Sequence, residues 1–201
     1  EQSKEYYEKT PVETPTPTPS YDYSKPVPQS EAKDESWFAD AAFVGDSRMK
    51  GVLNFAKFSY AEDLSFVGLN VADVFTKPYV ATSSGSVSVS DALANDKQYG
   101  KVYLMLGINE LGWQSTDKFI EYYAKVVDLV RETHPEAQIY VISILPVGTK
   151  ATASQAHLNN DRVRSFNERI LAMCAEKQVY YINGFEALEQ NGILPDDASP
   201  D

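Results

Sequence analysis

From Trp37 onward the chain alternates short apolar runs with amphipathic stretches. The runs near 41–45, 64–68, 101–106, 138–144 and 179–182 are short, nearly continuous and bounded by polar or turn-forming residues, which predicts strands buried on both faces. Between the last three, Asp117 to Thr133 places Phe119, Ile120, Tyr123, Val126, Val127 and Val130 at a helical period. Arg162 to Lys177 does the same through Val163, Phe166, Ile170, Leu171 and Cys174. Those faces are read as core. A strand–helix–strand order with right-handed crossovers predicts an α/β fold, a three-layer α/β/α sandwich around a parallel sheet of about five strands. No internal repeat interrupts this order.

The first 36 residues are a different material. Glu1 to Lys9 is polar, and 11–28 interleaves prolines with Thr, Ser and Tyr. Such a segment buries too little apolar surface to fold alone and is expected as an extended tether, with the folded domain running from 37 to 201. Its Pro-Thr character is that of a surface stalk, so an extracellular or surface-tethered location is expected. The chain lacks a stretch of about twenty apolar residues that would span a membrane. A net charge of −11 argues against a nucleic-acid partner, which requires a basic stripe. The single cysteine, Cys174, permits no disulfide within the chain and is expected as a small apolar core residue.

Candidate chemistry gathers at two strand ends. Phe43-Val44-Gly45-Asp46-Ser47 puts a serine where an apolar strand gives way to a helix. Such a serine is either a helix cap or a nucleophile, and as a nucleophile it needs a neighbouring base and oxyanion donors. About sixty residues on, the strand 101–106 ends in Gly107-Ile108-Asn109-Glu110, which places an asparagine at a strand's C-terminal end. Asn109 is either a turn residue or an amide donor to a developing alkoxide. The two would meet in one crevice if their strands are close in the sheet.

From about Ala41 to its end the chain resembles the SGNH hydrolase family, the GDSL esterases and lipases. Gly45-Asp46-Ser47 is similar to that family's first block, whose serine is the nucleophile and whose serine amide is one oxyanion donor. Gly107-Ile108-Asn109-Glu110 is similar to its third block, usually Gly-x-Asn-Asp, with Glu110 in place of the aspartate. The second block, which supplies a further amide, is matched by Phe66 to Asp73: Gly68 falls on an earlier glycine of the block and Val71 on the functional one. The family's fourth element is Asp-x-x-His, whose histidine is the base and whose aspartate orients it. Asp201 stands where that motif begins, and the histidine is expected three places beyond it. Of the two histidines present, His134 is expected as a surface residue at a helix end, and His157 as a solvated loop or early-helix residue on the active-site edge. The resemblance implies the same flavodoxin-like sandwich.

Trp113 would stand at the pocket rim, where its ring would stack on a sugar, pack on an acyl chain or be partly buried. Tyr79 is a weaker rim candidate. Arg48 is a candidate for an anionic substrate group, with Glu110 as its ion-pair partner. The resemblance then implies a serine esterase that needs no metal or organic cofactor, and the lack of a long apolar insertion to form a lid points to a small acyl group, such as acetyl, on a small-molecule or glycan ester. A catalytically inactive module binding a glycan or protein in the same crevice is the alternative. A flavodoxin-type ligand domain is disfavoured, because no Gly-rich phosphate loop opens a helix.

Overall fold

The computed structural model describes residues 21–58, 60–95, 97–195 and 198. Among these, the elements in chain order are β1 (Ala41–Gly45), α1 (Ser47–Ala56), β2 (Glu62–Ser65), α2 (Asp73–Thr76), β3 (Val80–Thr82), β4 (Gly85–Val87), α3 (Val89–Leu93), β5 (Lys101–Met105), α4 (Thr116–Thr133), β6 (Gln138–Ile142), α5 (Thr149–Ser154), α6 (Asn160–Lys177), β7 (Tyr180–Ile182) and α7 (Gly184–Leu188). Five strands form one parallel sheet in the order β2-β1-β5-β6-β7, which is the doubly wound order with its switch point between β1 and β5. The three-layer α/β/α expectation is met.

Period-two alternation divides the core. Ala42, Val44, Val102, Leu104, Ile139 and Val141 face a large apolar cluster made with α3, α4 and α6. Their neighbours Ala41, Phe43, Tyr103 and Met105 face a smaller one closed by Met49 and Leu53 of α1. Sequence-local chemistry sets the helix ends: Ser115 caps α4 and Asn159 caps α6 through their side-chain oxygens, while Gln178 closes α6 in the left-handed region.

Three expectations change. The strand expected at 64–68 is β2 at Glu62–Ser65, because Leu69 N–H bonds back to Phe66 O and turns the chain. A small antiparallel hairpin, β3–β4, joins α2 to α3 and was not expected. The stretch expected as a tether is, from Tyr21, laid against the sheet edge: Pro26 bridges Tyr181 in parallel and Val27 N–H donates to Tyr181 O at 2.8 Å. Tyr21 and Tyr23 close on Tyr180 with ring centroids at 5.0 and 5.4 Å. Residues 1–20 lie outside the described residues. Among the described residues, no helix is long and apolar enough to cross a membrane.

Candidate functional site

The register Gly45↔Met105 makes β1 and β5 neighbours at their C-terminal ends, so the turns carrying Ser47 and Asn109 rise side by side at the switch point. Glycine is required at 45, where a Cβ would lie 2.8 Å from Met105 O. Asp46 N–H bonds Met105 O at 3.2 Å, and the Asp46 side chain caps α1 by accepting the Arg48 N–H at 2.9 Å. Ser47 is the first residue of α1 and is exposed, and its N–H is one of the helix's unpaired first-turn donors. Buried Asp46 has its carboxyl pushed up to about 6 by desolvation, against the pull of the N–H groups of Arg48, Ile108 and Met49. Its contact with Ile108 joins the Ser47 turn to the Asn109 turn.

After β5, Gly107 takes φ 133°, where a Cβ would strike Ile144, and a 3-10 turn over Ile108–Glu110 follows. Asn109 is exposed, and its Nδ2 donates to Leu69 O at 2.8 Å. That bond uses one of two amide protons. Glu110 turns the other way. It is fully buried, its carboxyl accepts the Val71 N–H at 2.7 Å, and its second oxygen has no hydrogen-bond partner. Burial pushes it up to about 8, the Val71 bond opposes this, and the carboxylates of Asp46 and Asp73 add to it.

The second-block candidates divide accordingly. Gly68 occupies the exposed turn Phe66–Leu69 at φ 79°, a left-handed conformation that suits glycine. The Val71 amide, the alternative to Gly68 as the second-block donor, is bonded to Glu110. Asn70 opens α2 by accepting the Ala72 and Asp73 N–H groups at 3.0 and 2.9 Å.

Glu110 is therefore not a rim residue and does not face Arg48, whose guanidinium reaches Pro146 O at 3.3 Å. Trp113 is half-buried, its ring edge-on to Tyr122 at 6.5 Å, and Tyr79 stacks on Phe66 at 5.2 Å. His134 is buried rather than on the surface: its ring packs edge-on to Tyr99 at 4.9 Å, and burial lowers its pKa. Exposed His157 lies over Gly112, two residues past Glu110. Cys174 is buried as expected, its thiol pushed up to about 12. Asp201 lies outside the described residues. Hollows of about 390 Å³ below α1 and about 380 Å³ between α6 and α7 are lined by neither Ser47 nor Asn109.

The sequence reading missed the polar side chains that hold the surrounding loops. Arg162 donates to the carbonyls of Leu111 and, at 2.6 Å, Trp113. Asn167 accepts the Ile144 N–H at 2.8 Å and donates to Ile144 O at 2.9 Å, and Asn160 treats Val147 in the same way. The signal was present: Asn160 and Asn167 fall a heptad apart on α6, and Asn167 shares the apolar face with Val163 and Ile170.

A family model described as the GDSL-like lipase/acylhydrolase family matches residues 43–201. No curated protein matches the chain. Among solved structures, a Streptococcus pneumonia protein named for platelet activating factor is similar at 16% identity over 83% of this chain and 81% of that one, with a TM-score of 0.63. A GDSL-like lipase of Bacteroides thetaiotaomicron is similar at 14% identity over 82% and 83%, with a TM-score of 0.55. An active-site mutant of a family two carbohydrate esterase from Clostridium thermocellum is similar at 16% identity over 76% and 54%, with a TM-score of 0.50.

Proposed function

Because the chain belongs to the GDSL-like lipase/acylhydrolase family, we propose that it is a serine esterase acting by covalent acyl transfer from the β1–β5 switch point. The observation that carries this is the juxtaposition of exposed Ser47, at the start of α1, with the exposed amide of Asn109 on the adjacent strand end. Ser47 Oγ attacks the ester carbonyl carbon while a histidine takes its proton. The carbonyl oxygen becomes an alkoxide, held by the Ser47 N–H and the free Asn109 Nδ2–H. Collapse expels the alcohol with the returned proton and leaves an acyl-Ser47, which water cleaves by the same sequence in reverse. The base is expected three places after Asp201, with Asp201 orienting it.

For substrate we infer a small acyl ester, such as an acetylated carbohydrate of the cell envelope. The Pro/Thr-rich N-terminal stretch supports an extracellular, surface-tethered location, and the similarity to a carbohydrate esterase fits the same class. The test is p-nitrophenyl acetate hydrolysis by the complete gene product, its Ser47→Ala variant and the 201-residue chain. Turnover falling at least ~10³-fold in the variant, with an unchanged Tm, supports the esterase. Equal rates in the complete protein and the variant overturn it and turn the search to glycan binding in the crevice.

A further inference from the structure

We propose that Glu110 is a positioning residue, which braces the 69–71 turn against Asn109 and so fixes the amide that holds the alkoxide. This rests on the acyl-transfer reading above. Two adjacent residues of the Asn109 turn grip two neighbours of the facing turn: Asn109 Nδ2 donates to Leu69 O at 2.8 Å, and Glu110 Oε1 accepts from Val71 N–H at 2.7 Å. An exposed amide held by one bond pivots about it. With the second bond behind it, in a fully buried position, the Leu69 carbonyl and the Asn109 amide are fixed together. A displacement of about 1 Å at such a donor is enough to reduce rate by about 10²-fold.

The brace works as a neutral acid. Its second oxygen is buried without a hydrogen-bond donor, a costly state for a carboxylate and an acceptable one for a carboxylic acid. Among the described residues, the charges that act on it are acidic: Asp46 from the β1–α1 turn and Asp73 from α2 repel a charge there, and the Tyr123 phenol approaches from α4. The pKa near 8 agrees with that geometry. A proton on Glu110 keeps negative charge out of the turn that carries Asn109, and its loss adds a buried charge behind that turn. The rate therefore falls as pH rises through the carboxyl's titration. The base histidine alone would give only an acid limb.

Glu110→Gln retains the shape and the acceptor for Val71 but has nothing to titrate, and Glu110→Ala removes the brace. For p-nitrophenyl acetate hydrolysis by the complete gene product, the glutamine variant is expected within about threefold of wild type near pH 7, without the decline in kcat around pH 8. The alanine variant is expected to lose about 10²-fold in kcat with little change in KM. A second readout needs no turnover. Because the folded pKa is raised above 4.5, the contribution of this carboxyl to stability is greatest below that value and falls as pH rises toward 8, and Glu110→Gln removes this fall above pH 6. Below pH 6 Asp46 contributes a slope of the same sign in both proteins. A glutamine variant whose rate and stability profiles superimpose on wild type overturns the proposal. Wild-type protein without hydrolysis but with the stability difference overturns the esterase reading and leaves the brace supported.

Discussion

The C-terminal edge of the sheet and its α1-side face are held together by different forces. At the edge, the turns around Ser47, Leu69 and Asn109 are cross-tied by directional polar bonds, and two of the acids that make them, Asp46 and Glu110, are buried. On the face, a line of rings crosses the strands in register: Phe43 on Tyr103 at 4.8 Å, Tyr103 on Tyr140 at 4.9 Å and Tyr140 on Tyr180 at 5.0 Å, continued by Tyr21. Stacked rings tolerate small displacements and do not titrate near neutrality, whereas a cross-tied turn is exact in position and sensitive to protons. The difference assigns precision to the edge and cohesion to the face. Rate and stability should therefore respond to different substitutions.

The largest effect that separates them is expected at Asn109. Replacing it with alanine removes both the alkoxide donor and the tie to Leu69 O, and kcat for p-nitrophenyl acetate should fall by about 10²–10³-fold. Asn109 is exposed, so Tm should change by no more than a few degrees. A large loss of Tm with little loss of kcat would reverse the assignment of edge and face.

Tyr180→Ala probes the face. The ring is half-buried and touches Tyr140, Tyr21 and Tyr23, so its loss should destabilise by about 2 kcal/mol, read by urea unfolding, while kcat stays within about twofold. A variant of wild-type stability would show that the rings touch without contributing.

The strands and the long helices were legible because their apolar periods are unbroken, and Ser47 and Asn109 were legible because each stands where an apolar run ends. Short elements were not. The strands of the β3–β4 hairpin are three residues each, too short to carry an alternation that can be read. Glu110 was read as the ion-pair partner of Arg48, since both stand next to a candidate site residue in the sequence. Its burial depends on Val71, 39 residues earlier, and such a bond leaves no local pattern. His134 was misplaced for the same reason, since its cover comes from Tyr99 on another segment. Tyr21 to Val27 reads as tether by composition. What docks it is the unpaired edge of β7, which appears only once the sheet order is known.

That docked arm gives the smallest effect and the finest test of the comparison. A terminal parallel strand leaves unpaired N–H and C=O groups, and Val27 N–H satisfies one of them at Tyr181 O. Val27→Pro removes that donor but not the Tyr21 and Tyr23 rings, so it separates the hydrogen bond from the stacking beside it. The expected loss is about 1 kcal/mol, a fall in Tm of about 2–4 °C, with kcat and its pH profile unchanged. An unchanged Tm would mean that the rings alone seat the arm. A changed pH profile would mean that the β7 edge communicates with the Asp46 and Glu110 carboxyls, and that edge and face do not act as independent regions.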